Sequence, residues 1–310
     1  MNHKYAVALL LAFVLVWPIY GQQTPAPAAK QTTFSSPQEA ANALINAAQK
    51  WDVTALDQMF GPEAKDIIHS GEPARDREIA QQFAERGREN LKISIDPSTK
   101  RRAVISVGEK DWPFPVPLVK TGTTWSFDSK AGVREILVRR IGRNELDAIQ
   151  ILRGFVEAQD EYAQTRHAGQ QVNQYAQKVI STPGTQDGLA WKNPDGTWGG
   201  PIGENVARAI QKGYTSGQPY HGYYFKLLKG QGPDAPLGEM NYVVNGAMIG
   251  GFAILAFPAQ YRNTGVMSFM VSNDGVVWQK DLGPNTLQVV KSIERFNPDK
   301  TWTPVEDQTE

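Results

Sequence analysis

The chain has 310 residues, is 41% hydrophobic, and balances 32 Lys+Arg against 32 Asp+Glu. That length suggests about two domains with packed cores. Zero net charge removes the electrostatic footprint of a nucleic-acid binder and of a polybasic membrane patch. With no cysteine, disulfides, thiolate metal sites, a cysteine nucleophile and a cysteine-linked lipid anchor are all excluded.

Residues 6–17 form an unbroken apolar run behind His3 and Lys4, with Pro18 and Gly21 after it. This reads as a signal peptide over residues 1–21, cleaved after Gly21, and predicts a periplasmic or extracellular protein. A retained anchor is the alternative, and the bulk of Ile19 near the cleavage point keeps it open. A spanning helix needs about 20 apolar residues, however, and this run ends sooner, so no mature membrane span is expected. Residues 22–33, QQTPAPAAKQTT, are expected to be a disordered linker.

An N-terminal domain is expected over residues 34–130. Ser36, Pro37 and Glu39 have the form of a capping box with proline at the first helical position. An alanine-rich helix follows to residue 48, with Leu44 and Ile45 inward. Asp52 opens a second helix, closed by Gly61-Pro62, and a charged third helix is read over 75–89. Strands are read at 91–95, 103–107, 114–119 and 125–127, the third broken by prolines and so of edge type. Helices first and strands after make an α+β unit.

A connecting helix at 131–142 carries Arg134, Arg139 and Arg140, with Arg143 just beyond. Gly142 is expected to break it from the longest element, residues 144–167. There Ile149, Leu152, Val156 and Ala163 fall on one side, widened by Ile151, Phe155 and Tyr162. Asn144 has the character of an N-cap and Gly169 of a stop. About 24 residues make a rod of roughly 36 Å, which needs a surface to cover its stripe. A short helix at 172–180, a turn-rich loop at 181–203 and a short helix at 204–212 follow. Strands are then expected at 223–228, 240–244, 251–257, 266–271 and 276–280, the last two joined by Asn273-Asp274-Gly275, a strong hairpin signal. The fold class is therefore α+β throughout. A long helix would pack on a small antiparallel sheet in a C-terminal domain over 143–300, ahead of a tail at 301–310.

Chemical motifs are sparse. His69, His167 and His221 show no metal-ligand spacing, so no metal and no cofactor is expected. No P-loop, GxGxxG or GxSxG occurs. His221 is the best candidate general base; a strand-end histidine making one hydrogen bond is the plainer reading. Asp111 and Glu145 would make a carboxylate pair only if the fold joined them. Trp112, Trp191, Trp198, Tyr220, Tyr223 and Tyr224 sit in or beside Pro/Gly-rich segments, where they could stack on a sugar, line a peptide groove or simply pack. Arg140 and Arg143 could grip an anion or form a solvated helix face. The candidate binding residues are thus Trp112, Tyr220, His221, Tyr223, Arg140 and Arg143, with no catalytic residue assigned.

Three resemblances add to this. Residues 34–128, from ANALINAAQKWDVTALDQMFGPEA to PLVKTGTTWSFD, resemble the cone-shaped domains of the nuclear-transport-factor-2-like superfamily. Residues 143–282, with HGYYFKLL and FAILAFPAQYRNTGVMSFMVSNDGVVWQKDLG, resemble the soluble part of type IV pilins and pseudopilins. Here the helix follows a complete domain rather than a membrane span, so pilus assembly does not carry over. The strings DWPFPVPLVK, RIGRNELDAIQ, STPGTQDGLAW, PYHGYYF and NDGVVWQKDLGP resemble the bacterial exported family catalogued as domain of unknown function 2950. That resemblance implies an exported protein without an established activity. An Asp-rich loop after the long helix would suggest calcium in relatives; this chain reads RHAGQQVNQ there, with no carboxylate. The expected function is a non-catalytic binding or interaction module of the cell envelope, its partner an envelope protein or a glycan and not nucleic acid. The alternative is an envelope hydrolase or small-ligand-binding protein, with a pocket in the N-terminal domain or between domains.

Overall fold

The computed structural model describes residues 31–69, 73–167, 169–211 and 217–306. The signal-peptide reading lies outside them. The chain divides after Ser129 into two compact units, and its class is mixed α+β. Among the described residues no helix is long and apolar enough to cross a membrane.

Among its described residues the first unit sets four α-helices before an antiparallel sheet. The helices are α1 (Pro37–Lys50), α2 (Val53–Phe60), α3 (Ala64–Ile68) and α4 (Pro73–Glu89). Ser36 Oγ accepts from Glu39 N, and Trp51 closes α1 in the left-handed region at φ 52°. The strands are β1 (Leu91–Ile95), β2 (Arg102–Val107), β3 (Trp112–Pro113), β4 (Leu118–Thr121) and β5 (Thr124–Phe127). They run in the order β1-β2-β4-β5, with β3 on β2. The strand expected at 114–119 is displaced to β3 and β4, because Pro115 and Pro117 have no N–H for a ladder. Phe60, Phe127, Ile105 and Leu118 anchor the core. The expected linker is ordered at its end: Gln31 Nε2 donates to the carbonyls of Met59 and Phe127, 2.8 Å each.

The second unit is organised by α5 (Ser129–Ala163). It runs unbroken through Gly142, which costs a helix only about 1 kcal/mol against alanine and meets no neighbour. One helix therefore replaces the expected connector and rod, and Asn144 sits inside it rather than capping it. The helix stops at Ala163, ahead of Gly169. His167 folds back so that its ring stacks on Tyr162 at 3.9 Å and its Nε2 meets the Tyr162 carbonyl at 3.0 Å. That supplies a partner to a helix-end carbonyl.

No helix forms at 172–180. Tyr175 N donates to Met248 O, and β6 (Lys178–Ile180) pairs in parallel with β7 (Gly188–Lys192). The loop expected at 181–203 therefore holds β7 and β8 (Trp198–Gly199), which pair with each other. After α6 (Gly203–Gln211) comes β9 (Tyr223–Leu228). The strand expected at 240–244 is two short pieces. β10 (Gly230–Gln231) pairs β11 (Met240–Asn241), and β12 (Val243–Val244) pairs β13 (Ala247–Met248). The main sheet is completed by β14 (Ala253–Pro258), β15 (Met267–Ser272), β16 (Trp278–Asp281) and β17 (Thr303–Pro304), in the antiparallel order β17-β16-β15-β14-β9. Leu152 and Phe155 of α5 share one core with Ile254, Phe269 and Tyr223 of this sheet. Lys226, on the face opposite Tyr223 by strand alternation, donates to the carbonyls of Val290 and Ile293 at the end of α7 (Thr286–Ser292).

Candidate functional site

Tyr220, His221 and Tyr223 meet at the start of β9. His221 at φ 49° and Gly222 at φ 76° sit between Tyr220 and Tyr223, whose backbones exchange hydrogen bonds of 2.8 and 3.0 Å. Left-handed backbone at both central residues is a two-residue type I′ turn. A Cβ on Gly222 would lie 2.5 Å from Asn144 Nδ2, so glycine is required twice over. The turn aims His221 at α5, where Asp147 Oδ2 lies 2.6 Å from His221 Nδ1.

The helix face that carries Asp147 also holds the next turn of chain. Asn144 Nδ2 donates to Thr264 O at 2.9 Å. Glu145 Oε1 accepts from Val266 N at 2.8 Å and Met267 N at 3.0 Å. Tyr223 Oη donates to Met267 O at 2.8 Å, and Tyr223 is fully buried. Burial, and then the Glu145 charge, push its phenol well above the ordinary value. Thr264 Oγ1 accepts from Gln260 N and donates to Gln260 O. Arg140 Nη1 stands 3.5 Å from Asn263 Oδ1, the outer limit of a hydrogen bond, and Arg143 is exposed.

Four of the six predicted binding residues, Tyr220, His221, Tyr223 and Arg140, are thus gathered onto one end of the sheet. Trp112 belongs to the other unit, on the short β3. The Asp111 and Glu145 carboxylates have separate engagements: Asp111 Oδ2 lies 2.5 Å from Lys92 Nζ, while Glu145 holds the backbone described above. Nothing local in the sequence marks Asp147, because its partner lies 74 positions away. Chemically, an imidazole oriented by a carboxylate is the base half of a hydrolytic triad. The two hydroxyls nearby, Thr264 and Tyr223, are both bonded within the cluster.

A second polar site follows the end of α5. A cleft of about 410 Å³ is lined by Gly169, Gln170, Gln174, Tyr175, Gln177, Lys178, Thr185, Asp187 and Gly246. Lys178 Nζ lies 2.7 Å from Asp187 Oδ2. Asp187 also accepts from Thr182 N, Thr182 Oγ1 and Thr185 Oγ1. Burial works to raise the Asp187 carboxyl, but Lys178 and the threonine hydrogen bonds outweigh it and hold it far below the usual range. Sequence reading missed this cleft, treating residues 172–180 as helix and 181–203 as loop. Among the described residues no three His, Cys, Asp or Glu side chains group as metal ligands.

A family model described as protein of unknown function (DUF2950) matches residues 31–305. The chain belongs to that family. No curated protein and no solved structure matches it. The DUF2950 match takes in both units, the Asp147–His221 pair and the glutamine-lined cleft.

Proposed function

We propose that this DUF2950 protein is exported to the periplasm or cell exterior and acts as a non-catalytic binding or interaction module for an envelope protein or a glycan. The carrying observation is the closure of the Asp147–His221 cluster. Asn144, Glu145, Asp147, Tyr223 and Thr264 all bond to groups of the same unit, which is the pattern of a structural fastening. Export is supported by the apolar run at residues 6–17 and the small Gly21 behind it. A pilin-like reading of the second unit is supported by a long helix sharing a core with an antiparallel sheet. The nuclear-transport-factor-2-like reading of the first is supported by helices preceding a sheet.

The envelope-hydrolase alternative rests on the Asp147–His221 pair itself. One experiment separates the two. The purified protein is assayed against chromogenic ester, phosphate, glycoside and peptide substrates, beside His221→Ala with its fold checked by circular dichroism. No turnover is expected from either. Turnover that vanishes in a folded His221→Ala protein would establish the hydrolase. Mass spectrometry of the exported protein should give an N-terminus at Gln22; an intact Met1 in the membrane fraction would overturn cleavage.

A further inference from the structure

We propose that the cleft lined by Gln170, Gln174, Tyr175, Gln177, Lys178 and Asp187 binds a neutral saccharide. The proposal deepens the binding-module reading and rests on it. The volume, about 410 Å³, falls within the range of small-ligand sites, about 300–1,000 Å³.

Gln174 and Gln177 are each held at one end, and Gln170 at both. Gln174 Oε1 accepts from Met248 N at 2.9 Å. Gln177 Nε2 donates to Gly246 O at 2.7 Å. Gln170 Nε2 donates to Tyr162 Oη at 2.7 Å, and its Oε1 accepts from His167 N at 3.2 Å. A backbone N–H can bond only the carbonyl end of an amide, and a backbone carbonyl only the NH₂ end. The orientations of Gln174 and Gln177 are therefore dictated by their anchors. Among the described residues the Gln174 NH₂ and the Gln177 carbonyl carry no hydrogen bond. The cleft thus presents a fixed donor and a fixed acceptor, each with its rotamer already ordered, which lowers the entropy cost of binding.

Charge selects the ligand class. Lys178 and Asp187 neutralise each other, and Asp187 has three further donors. Among the described lining residues no charge is left unbalanced to favour an ion. Tyr175 supplies the aromatic surface. Its ring is fixed edge-on against Phe252 at 4.8 Å, and burial, then the Asp160 charge, raise its phenol so that it remains a neutral donor. Neutral donors and acceptors beside one aromatic ring match the hydroxyls and apolar face of a sugar. A peptide would ask for apolar side-chain pockets, and among the described residues of the lining Tyr175 is the one large apolar group.

The test is calorimetric titration of the intact protein with N-acetylglucosamine, its β-1,4-linked trimer, cellotriose and, as the rival class, an N-acetylated trialanine amide. Saccharide binding is expected, with no heat from the peptide. Gln174→Glu keeps an oxygen for Met248 N and deletes the NH₂. Gln177→Lys keeps a donor for Gly246 O and deletes the carbonyl. Each should weaken binding about tenfold, the worth of one hydrogen bond, at an unchanged melting temperature. Peptide binding in place of saccharide, silence with every probe, or saccharide affinity indifferent to both variants would overturn the proposal. Cleavage of the trimer that still needs Gln174 would overturn the non-catalytic reading while upholding the site.

Discussion

The cluster around Asp147 and the cleft around Gln174 are both crowded with polar side chains on the second unit, and they differ in what remains unbonded. At the cluster, α5 reaches two turns of chain through Asn144, Glu145 and Asp147, and its hydrogen bonds end on backbone or on His221. At the cleft, Gln170 is bonded at both ends, while Gln174 and Gln177 are each anchored by one end and keep the other open. A dense hydrogen-bond network by itself identifies a place where the fold is specified. Ordered but unused capacity is the better pointer to a ligand. Substitutions at the cluster should therefore damage stability, and substitutions at the cleft should damage binding.

The largest effect is expected at Tyr223. It is fully buried, carries the bond to Met267 O and packs on Phe269 at 6.0 Å. Tyr223→Ala should cost about 4 kcal/mol, as aromatic truncations in cores do. Tyr223→Phe, which leaves only the carbonyl unpartnered, should cost about 1–2 kcal/mol. Urea unfolding curves measure both; if the two variants proved equal, packing would not be what Tyr223 contributes.

Glu145 comes next. Glu145→Ala strands the N–H groups of Val266 and Met267, and should cost about 2–3 kcal/mol. Glu145→Gln retains a carbonyl in the same place and should recover most of that. A wild-type urea midpoint in Glu145→Ala would remove the cluster from the structural side of the comparison.

Much of this architecture is legible in the sequence because it is local. The bounds of β9 follow from the apolar and aromatic run YYFKLL alone, and the Asn273-Asp274-Gly275 turn joins β15 to β16 because its chemistry demands a left-handed backbone. The strip Leu152, Phe155, Tyr162 is buried as its helical period requires. What escaped reading is set by distant partners. Residues 172–180 are drawn out of helix by the Met248 backbone, which bonds both Tyr175 N and Gln174 Oε1. Gly142 misled for the opposite reason, since its weak intrinsic preference is overridden by the helix on either side. His221 was recognisable as a candidate, but nothing near it in sequence announces Asp147.

That pair gives the third prediction. Its side chains are 38% and 28% exposed, so solvent screens the interaction and a double-mutant cycle of Asp147→Ala with His221→Ala should return a coupling of about 1 kcal/mol or less. A cycle showing no coupling would mean that the 2.6 Å contact does not fasten the turn to α5 in solution.

The smallest effect on stability is expected at Asp187, and its pH dependence carries the information. The carboxyl is held below its usual range in the folded protein, while in the unfolded chain it titrates near the ordinary aspartate value of about 3.9. A depressed folded value means that the folded state binds the proton less readily. The stabilisation is then fully present above about pH 4 and is lost progressively as pH falls further. Because the side chain is 42% exposed, screening keeps it under about 1 kcal/mol. Asp187→Asn should therefore be slightly less stable than wild type between pH 5 and pH 7, on the order of that amount, with the gap closing at lower pH. Urea midpoints of the two proteins across that range measure it. A gap that persists unchanged well below pH 4 would mean that shape, not the charge of Asp187 against Lys178, organises the Thr182–Asp187 loop. The charge balance used to assign a neutral ligand would then lose its footing, while the closed cluster at Asp147 would be untouched.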